Sequence, residues 1–227
     1  MQIEWDRIND ILVQTNRQAT EENKTYFLAD IAHYSGLIAG GAYEGPGEYA
    51  DFVTSTTHKT LRGPRGGIIM WNDDKFTKKI NSSVFPGTQG GPLMNQIAAK
   101  AQCFVEALTP EFKEYTQQVV KNANVMIDVF RKTQITLQCQ TYGTHSHIVL
   151  INLTDKGLSG KDVADALEKE GITVNKNSVP LDPLGPTETS GIRIGTAAET
   201  TRGMTEKDFY DLAFRISDII YKVEAES

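Results

Sequence analysis

The stretch Ser55–Gly67, STTHKTLRGPRGG, places Lys59 and His58 among Thr56, Thr57 and Thr60, with Arg62 and Arg65 following between glycines and a proline. Glycine and proline make the segment too irregular for a helix. Hydroxyl, imidazole and guanidinium groups together can hold a phosphate or another anion. An amine among cations loses its proton more readily, which would make Lys59 a nucleophile toward an aldehyde. A ligand with both an aldehyde and a phosphate suits both halves of the cluster, and pyridoxal 5'-phosphate is such a molecule. A lone loop lysine is ordinarily a solvated charge, so the neighbourhood carries the reading.

Two further runs bear on the same chemistry. Asp30 and His33 stand in DIAH, at the end of an apolar segment. A carboxylate there could keep a pyridine nitrogen protonated, which maintains the ring as an electron sink. As an isolated residue, Asp30 reads more readily as a helix cap, and the conjunction with the lysine loop carries the weight. The run Val84–Leu93, VFPGTQGGPL, reads as a second loop suited to an anion.

The elements that position these groups follow from periodicity. WDRINDILVQTN spaces Trp5, Ile8, Ile11 and Leu12 as on a surface helix. Tyr26 to Ala29, DFVTST and GGIIMW read as strands, with a short helix between the first two because the intervening segment is rich in glycine. This alternation predicts an α/β domain, with Asp30 and Lys59 reaching one crevice at the carboxyl edge of the sheet. Long helices follow over LMNQIAAKAQCFVEAL and from Pro110 to Lys132. Beyond Thr133 a smaller α+β unit is expected. Its strands are QITLQCQ, SHIVLINL, ITVNKN and GIRIGT, one helix is capped by Ser159 and stopped at Gly171, and a closing helix is capped by Thr205. The predicted division is 1–108 for the remaining part of a cofactor-binding large domain, 109–132 for a linking helix and 133–227 for the small domain.

Composition narrows the class. The chain has 227 residues, 39% hydrophobic, with a formal net charge of −6. An acidic balance argues against electrostatic nucleic-acid binding. Cys103 and Cys139 form neither a disulfide framework nor a zinc signature, so no metal is expected and both thiols are read as reduced and buried or half-buried. No apolar run reaches membrane-span length, and the first residues lack a signal-peptide pattern. The expected compartment is cytoplasmic.

The blocks DIAHYSGLIAGG, TSTTHKTLRGPRGG, VFPGTQGGPL, VNKNSVP and SGIRIGTAAETTRG resemble the signature segments of serine hydroxymethyltransferases, from about Tyr26 onward. The resemblance implies a fold-type-I pyridoxal-phosphate enzyme that moves a hydroxymethyl carbon between serine and tetrahydrofolate, leaving glycine. It implies that Lys59 bonds the cofactor aldehyde, Asp30 pairs with the pyridine nitrogen, and His33 meets the phenolic oxygen or the substrate. Thr56 and His58 would line the cofactor site. Gly90 and Gly91 would serve the phosphate of a neighbouring subunit's cofactor, in a homodimer or higher oligomer. Arg193, with Arg65, would bind the amino-acid substrate. Asn177 and Gly185, Pro186 and Thr187 would lie near the folate.

The chain also departs from the family pattern. Gly185-Pro186-Thr187 replaces a serine-proline-aromatic run, Ala197 a usual proline and Met204 a usual phenylalanine. Family members run to roughly twice this length. The chain is expected to start inside their large domain, with three or so strands of its sheet, and to need a separate polypeptide supplying the N-terminal half. Residues 1–24 contain no glycine, histidine or tyrosine to stand in for the phosphate loop, the ring-stacking histidine and the substrate-side tyrosines of that half. Two other readings stay open: a folate-independent, threonine-type aldolase, and a non-catalytic binding protein.

Overall fold

A computed structural model describes residues 2–139 and 143–226. The chain divides into two compact units, Gln2–Thr116 and Gln117–Ser227. The boundary falls inside the helix that the sequence set apart as a link.

The first unit is built on a three-stranded sheet of order β1-β2-β3, with β1 at Leu28–Asp30, β2 at Phe52–Thr56 and β3 at Gly67–Trp71. β1 runs parallel to β2, with Asp30 opposite Thr54, and β3 returns antiparallel, with Gly67 opposite Thr56. The first strand is displaced towards Asp30 from the expected Tyr26–Ala29. Between β1 and β2 lies the short helix α2, Ser35–Ala39, which Gly40 and Gly41 end. The N-terminal helix α1, Trp5–Thr15, is anchored by Trp5, which is buried and whose Nε1 donates to the Glu44 carbonyl at 3.1 Å. The rest of its expected apolar face is not covered: Ile11 is 64% exposed.

Helix α3, Thr77–Ser82, was not foreseen, because six residues carry little periodicity. Ser83–Thr88 continue it as one wide turn, with the Gln89 N–H donating to the Val84 carbonyl at 2.8 Å. The run read as a plain loop is therefore partly helical, broken at Phe85, whose backbone is extended, and irregular from Gln89 onward. Helix α4, Met94–Ala107, and the first turns of helix α5, Pro110–Lys132, complete the unit.

The second unit packs the remainder of α5, helix α6 (Gly160–Lys169) and helix α8 (Glu206–Glu226) with a sheet of order β4-β6-β5. Its strands are β4 at Ile148–Asn152, β5 at Asn175–Lys176 and β6 at Gly191–Gly195, and both pairings are antiparallel. One core joins Met126, Phe130, Ile151, Leu167, Ile192, Phe209 and Ile216, with Met204 packed against its edge. The short helix α7, Ala197–Thr201, follows β6.

Two strand expectations need correction. In QITLQCQ only Leu137 pairs, as one bridge to Ile151, and Gln140 lies outside the described residues. Gln134 and Cys139 both adopt positive φ, 56° each, which turns the chain away from the sheet at both ends. In ITVNKN only two residues pair. Cys103 is buried as expected, but Cys139 is exposed, and both thiols are free. No helix among the described residues is long and apolar enough to cross a membrane.

Ser159 caps α6: its Oγ accepts from the Asp162 N–H at 3.0 Å and donates to the Asp162 carboxylate at 2.7 Å. Ser159→Ala is expected to lower the stability of the second unit by about 1 kcal/mol in urea unfolding. A change of only a few tenths would show that the cap is not needed.

Candidate functional site

In a parallel strand pair both carboxyl ends open on one edge, and here that edge carries Asp30 from β1 and Thr56 from β2. The Asp30 side chain is fixed by two donors. Thr54 Oγ1 donates to Oδ2 at 2.7 Å and the Ala32 N–H to Oδ1 at 3.1 Å. The Thr54 hydroxyl foremost, then the Ala32 amide, hold the carboxyl below its ordinary range against some desolvation, with smaller help from the charges of Lys59 and His33. Lys59 and His33 therefore both lie within electrostatic reach of the Asp30 carboxylate. Being depressed in the fold, the Asp30 carboxyl adds stability above its ordinary range, and that contribution is lost as pH falls through the folded value.

The lysine loop is locked onto the turn after β1 by Thr60. Its Oγ1 donates to the His33 carbonyl at 2.8 Å and accepts the Gly36 N–H at 3.0 Å. A Cβ on Gly36 would lie 2.2 Å from the Thr60 carbonyl group, so only glycine permits this approach. Tyr115 Oη donates to the Thr60 carbonyl at 3.2 Å, and Thr56 Oγ1 to the Ala32 carbonyl at 3.4 Å. Thr57 is fully buried and hydrogen-bonds the Pro64 carbonyl, so it shapes the loop and offers nothing to a ligand. The Lys59 amine makes no hydrogen bond among the described residues. His58 Nδ1 is buried without a hydrogen-bond partner.

The arginines divide. The Arg62 guanidinium lies 4.1 Å from the centre of the Tyr115 ring and 5.1 Å from that of Phe112, in cation–π contact. This corrects the sequence reading, in which Arg62 was an anion donor beside the lysine. Arg65 lines a cleft of about 1130 Å³ together with Thr54, Gln89, Gly90, Gly91 and Lys100, and Lys59 is not among its lining residues. Lys100 Nζ there donates to the Gly67 carbonyl at 2.9 Å. A second hollow, of about 540 Å³, is walled mainly by apolar groups such as Ile38, Val53, Met70 and Phe104 and contains none of the candidate residues.

In the second unit Arg193 sits at the centre of its sheet, on β6 between Leu150 of β4 and Asn175 of β5. The Asn177 N–H donates to the Gly191 carbonyl at 2.8 Å, while its side chain turns to the Ser178 carbonyl at 2.7 Å. Gly185, Pro186 and Thr187 are exposed at the head of the segment joining β5 to β6. Asp182 organises that segment and was missed. Its Oδ2 accepts the Val179 and Ser190 N–H groups at 3.0 and 2.9 Å, and its Oδ1 accepts the Leu184 N–H at 2.9 Å and the Ser190 hydroxyl at 2.6 Å. Led by the Ser190 hydroxyl, these donors lower its carboxyl to about 2. The signal available in the sequence was the Asp-Pro turn dipeptide. Thr54 was also missed, although it shares a face of β2 with Thr56.

An α/β sheet followed by an α+β unit agrees with the C-terminal part of a fold-type-I pyridoxal-phosphate enzyme, the class to which the family match assigns the chain. The serine hydroxymethyltransferase family profile matches residues 4–216, and the chain belongs to that family. It is 58% identical, over 90% of its length, to a serine hydroxymethyltransferase of Wolbachia pipientis subsp. Culex pipiens (strain wPip), of which it covers 48%. It is 52% identical to one of Ehrlichia canis (strain Jake), over 92% of this chain and 49% of that one. The chain thus spans about half the length of the curated relatives it matches.

Thr54→Val removes the leading donor to Asp30. Its carboxyl should then titrate closer to the ordinary value in carbon-detected NMR, with the sheet intact. An unmoved titration would mean that Thr54 does not set the charge of Asp30.

Proposed function

We propose that this chain takes part in moving a hydroxymethyl carbon between serine and tetrahydrofolate, with pyridoxal 5'-phosphate held by the first unit. The observation that carries this reading is the Asp30 carboxylate, held by Thr54 and Ala32 at the carboxyl edge of the parallel strand pair with Lys59 on the loop that follows β2, in a member of a transferase family. The donor set suits the cofactor. An ionised carboxylate matches a protonated pyridine nitrogen, an amine without a hydrogen bond matches an aldehyde, and a buried imidazole nitrogen at His58 is left for a polar partner. When bound, the cofactor supplies an electron-poor ring that withdraws electrons from the substrate's α-carbon.

The roles of the chain's own groups follow. Lys59 would hold the cofactor through its aldehyde, and the Asp30 carboxylate would keep the ring nitrogen protonated. His33 faces the phenolic oxygen or the substrate, and Thr56 and His58 line the cofactor. Gly90 and Gly91 offer N–H groups to the phosphate of a neighbouring subunit, in a homodimer or higher oligomer. Arg193 grips the amino-acid carboxylate through two parallel hydrogen bonds, which a planar guanidinium makes better than an ammonium. Arg65 assists with the substrate, and Asn177 with Gly185–Thr187 meets the folate. Turnover requires the remaining length seen in the relatives, in the same polypeptide or in a separate one, and takes place in the cytoplasm.

With that remaining length present, borohydride reduction after cofactor loading should label Lys59, and Lys59→Ala should abolish the label. A label at Lys176 or elsewhere would overturn the assignment. Arg193→Ala should weaken the handling of serine by about 2–5 kcal/mol, the usual loss for a truncated, partly buried charge pair, and leave cofactor loading nearly unchanged. Unchanged serine kinetics would remove Arg193 from the site. Serine turnover at enzymic rates by the 227-residue chain alone would disprove the need for the remaining length. Cleavage of hydroxy amino acids that never depends on folate would favour the aldolase reading.

A further inference from the structure

Asp182 makes four hydrogen bonds in a segment that contributes little to the core. They tie Val179, where the chain leaves β5, to Ser190, where it enters β6, and they also hold Leu184 in between. Val179, Thr189 and Ser190 form a buried neck, at 6%, 3% and 2% exposure. Every residue from Pro183 to Glu188 is exposed, and Leu181 is completely so. Inside the head, the Gly185 carbonyl accepts the Glu188 and Thr189 N–H groups at 3.1 and 2.9 Å, and Lys176 Nζ reaches the Thr187 carbonyl. Four bonds to a charged acceptor are therefore committed to a head that buries almost no apolar surface. What they secure is the shape and placement of an exposed loop.

We propose that Asp182 is a positioning residue for the folate co-substrate, holding Gly185–Thr187 in binding shape before the ligand arrives. The inference rests on the assignment of that loop to folate in the proposed function. A carboxylate has about four acceptor positions, and the four donors here occupy them, so Asp182 cannot itself contact a ligand without giving up a loop bond. It acts through order: a loop fixed in advance loses less conformational freedom on binding, so its affinity is higher. The same clasp fixes the entry to β6, three residues before Arg193. The effect on the amino acid should nonetheless be smaller, because the strand is also held by its pairing with β4.

The test uses the chain together with the remaining length of its relatives, assayed for serine cleavage with tetrahydrofolate. Asp182→Asn should raise the KM for tetrahydrofolate at least tenfold while the KM for serine shifts less than threefold. Ser190→Ala, which removes one of the four bonds, should move the same parameter in the same direction by less. In the 227-residue chain, Asp182→Asn should speed amide exchange at Leu184 and Ser190 at least tenfold and leave β4 protected. An unchanged KM for tetrahydrofolate, or equal losses for both substrates, would overturn the role. A parent enzyme that is active but indifferent to folate would instead overturn the functional reading beneath it, and this inference with it.

Discussion

The first unit depends on one close approach, that of Gly36 to Thr60. The pairing of β1 with β2 fixes the strand ends, but not the distance between the turn that follows β1 and the lysine loop that follows β2. A backbone carbonyl packed where a Cβ would stand, with one hydroxyl bridging the two segments, sets that distance. Tyr115 of α5 then bonds the Thr60 carbonyl, and the same ring carries the Arg62 guanidinium. Strand register places Asp30, and this junction sets the lysine loop against the turn that carries His33.

Much of this was legible before the coordinates, for identifiable reasons. Long helices such as α4, α5 and α8 keep their apolar period over several turns, and β2, β4 and β6 are short β-branched or apolar runs bounded by polar and glycine residues. Asp30 and Lys59 could be brought together because a parallel crossover places both strand ends on one edge. The failures have physical causes too. Ile135, Leu137 and Cys139 alternate as a strand should, yet two residues with positive φ limit their pairing to a single bridge. Arg62 appeared to serve the lysine because local sequence cannot show that Tyr115, from a helix far along the chain, offers it a ring. Thr54 became a partner of Asp30 only through strand register.

The two organised carboxylates use similar donors to different ends. Asp30 receives one hydroxyl and one amide. It stays ionised and keeps acceptor capacity for something outside the chain. Asp182 receives three amides and one hydroxyl. It is saturated, and its charge serves only the backbone around it. Both are held below the usual carboxylate range, so the direction of a shift does not separate a ligand-facing group from a structural one. The number of acceptor positions left open does.

The core of the second unit has a kinetic consequence. Its closing contacts are remote in sequence. Thr133, just past α5, meets Ser217 and Tyr221 of α8 across separations of 84 and 88 residues. Full burial of the apolar face of α5 therefore needs, besides β4, β6 and α6, a helix that lies far along the chain. The entropy of closing that span comes before most of the burial that rewards it, which slows folding relative to a bundle of neighbouring helices. Until that helix docks, Met126, Ile127 and Phe130, fully buried in the finished structure, are open to any other apolar surface, so the speed of α8 docking governs how long this half of the chain is vulnerable to mispairing.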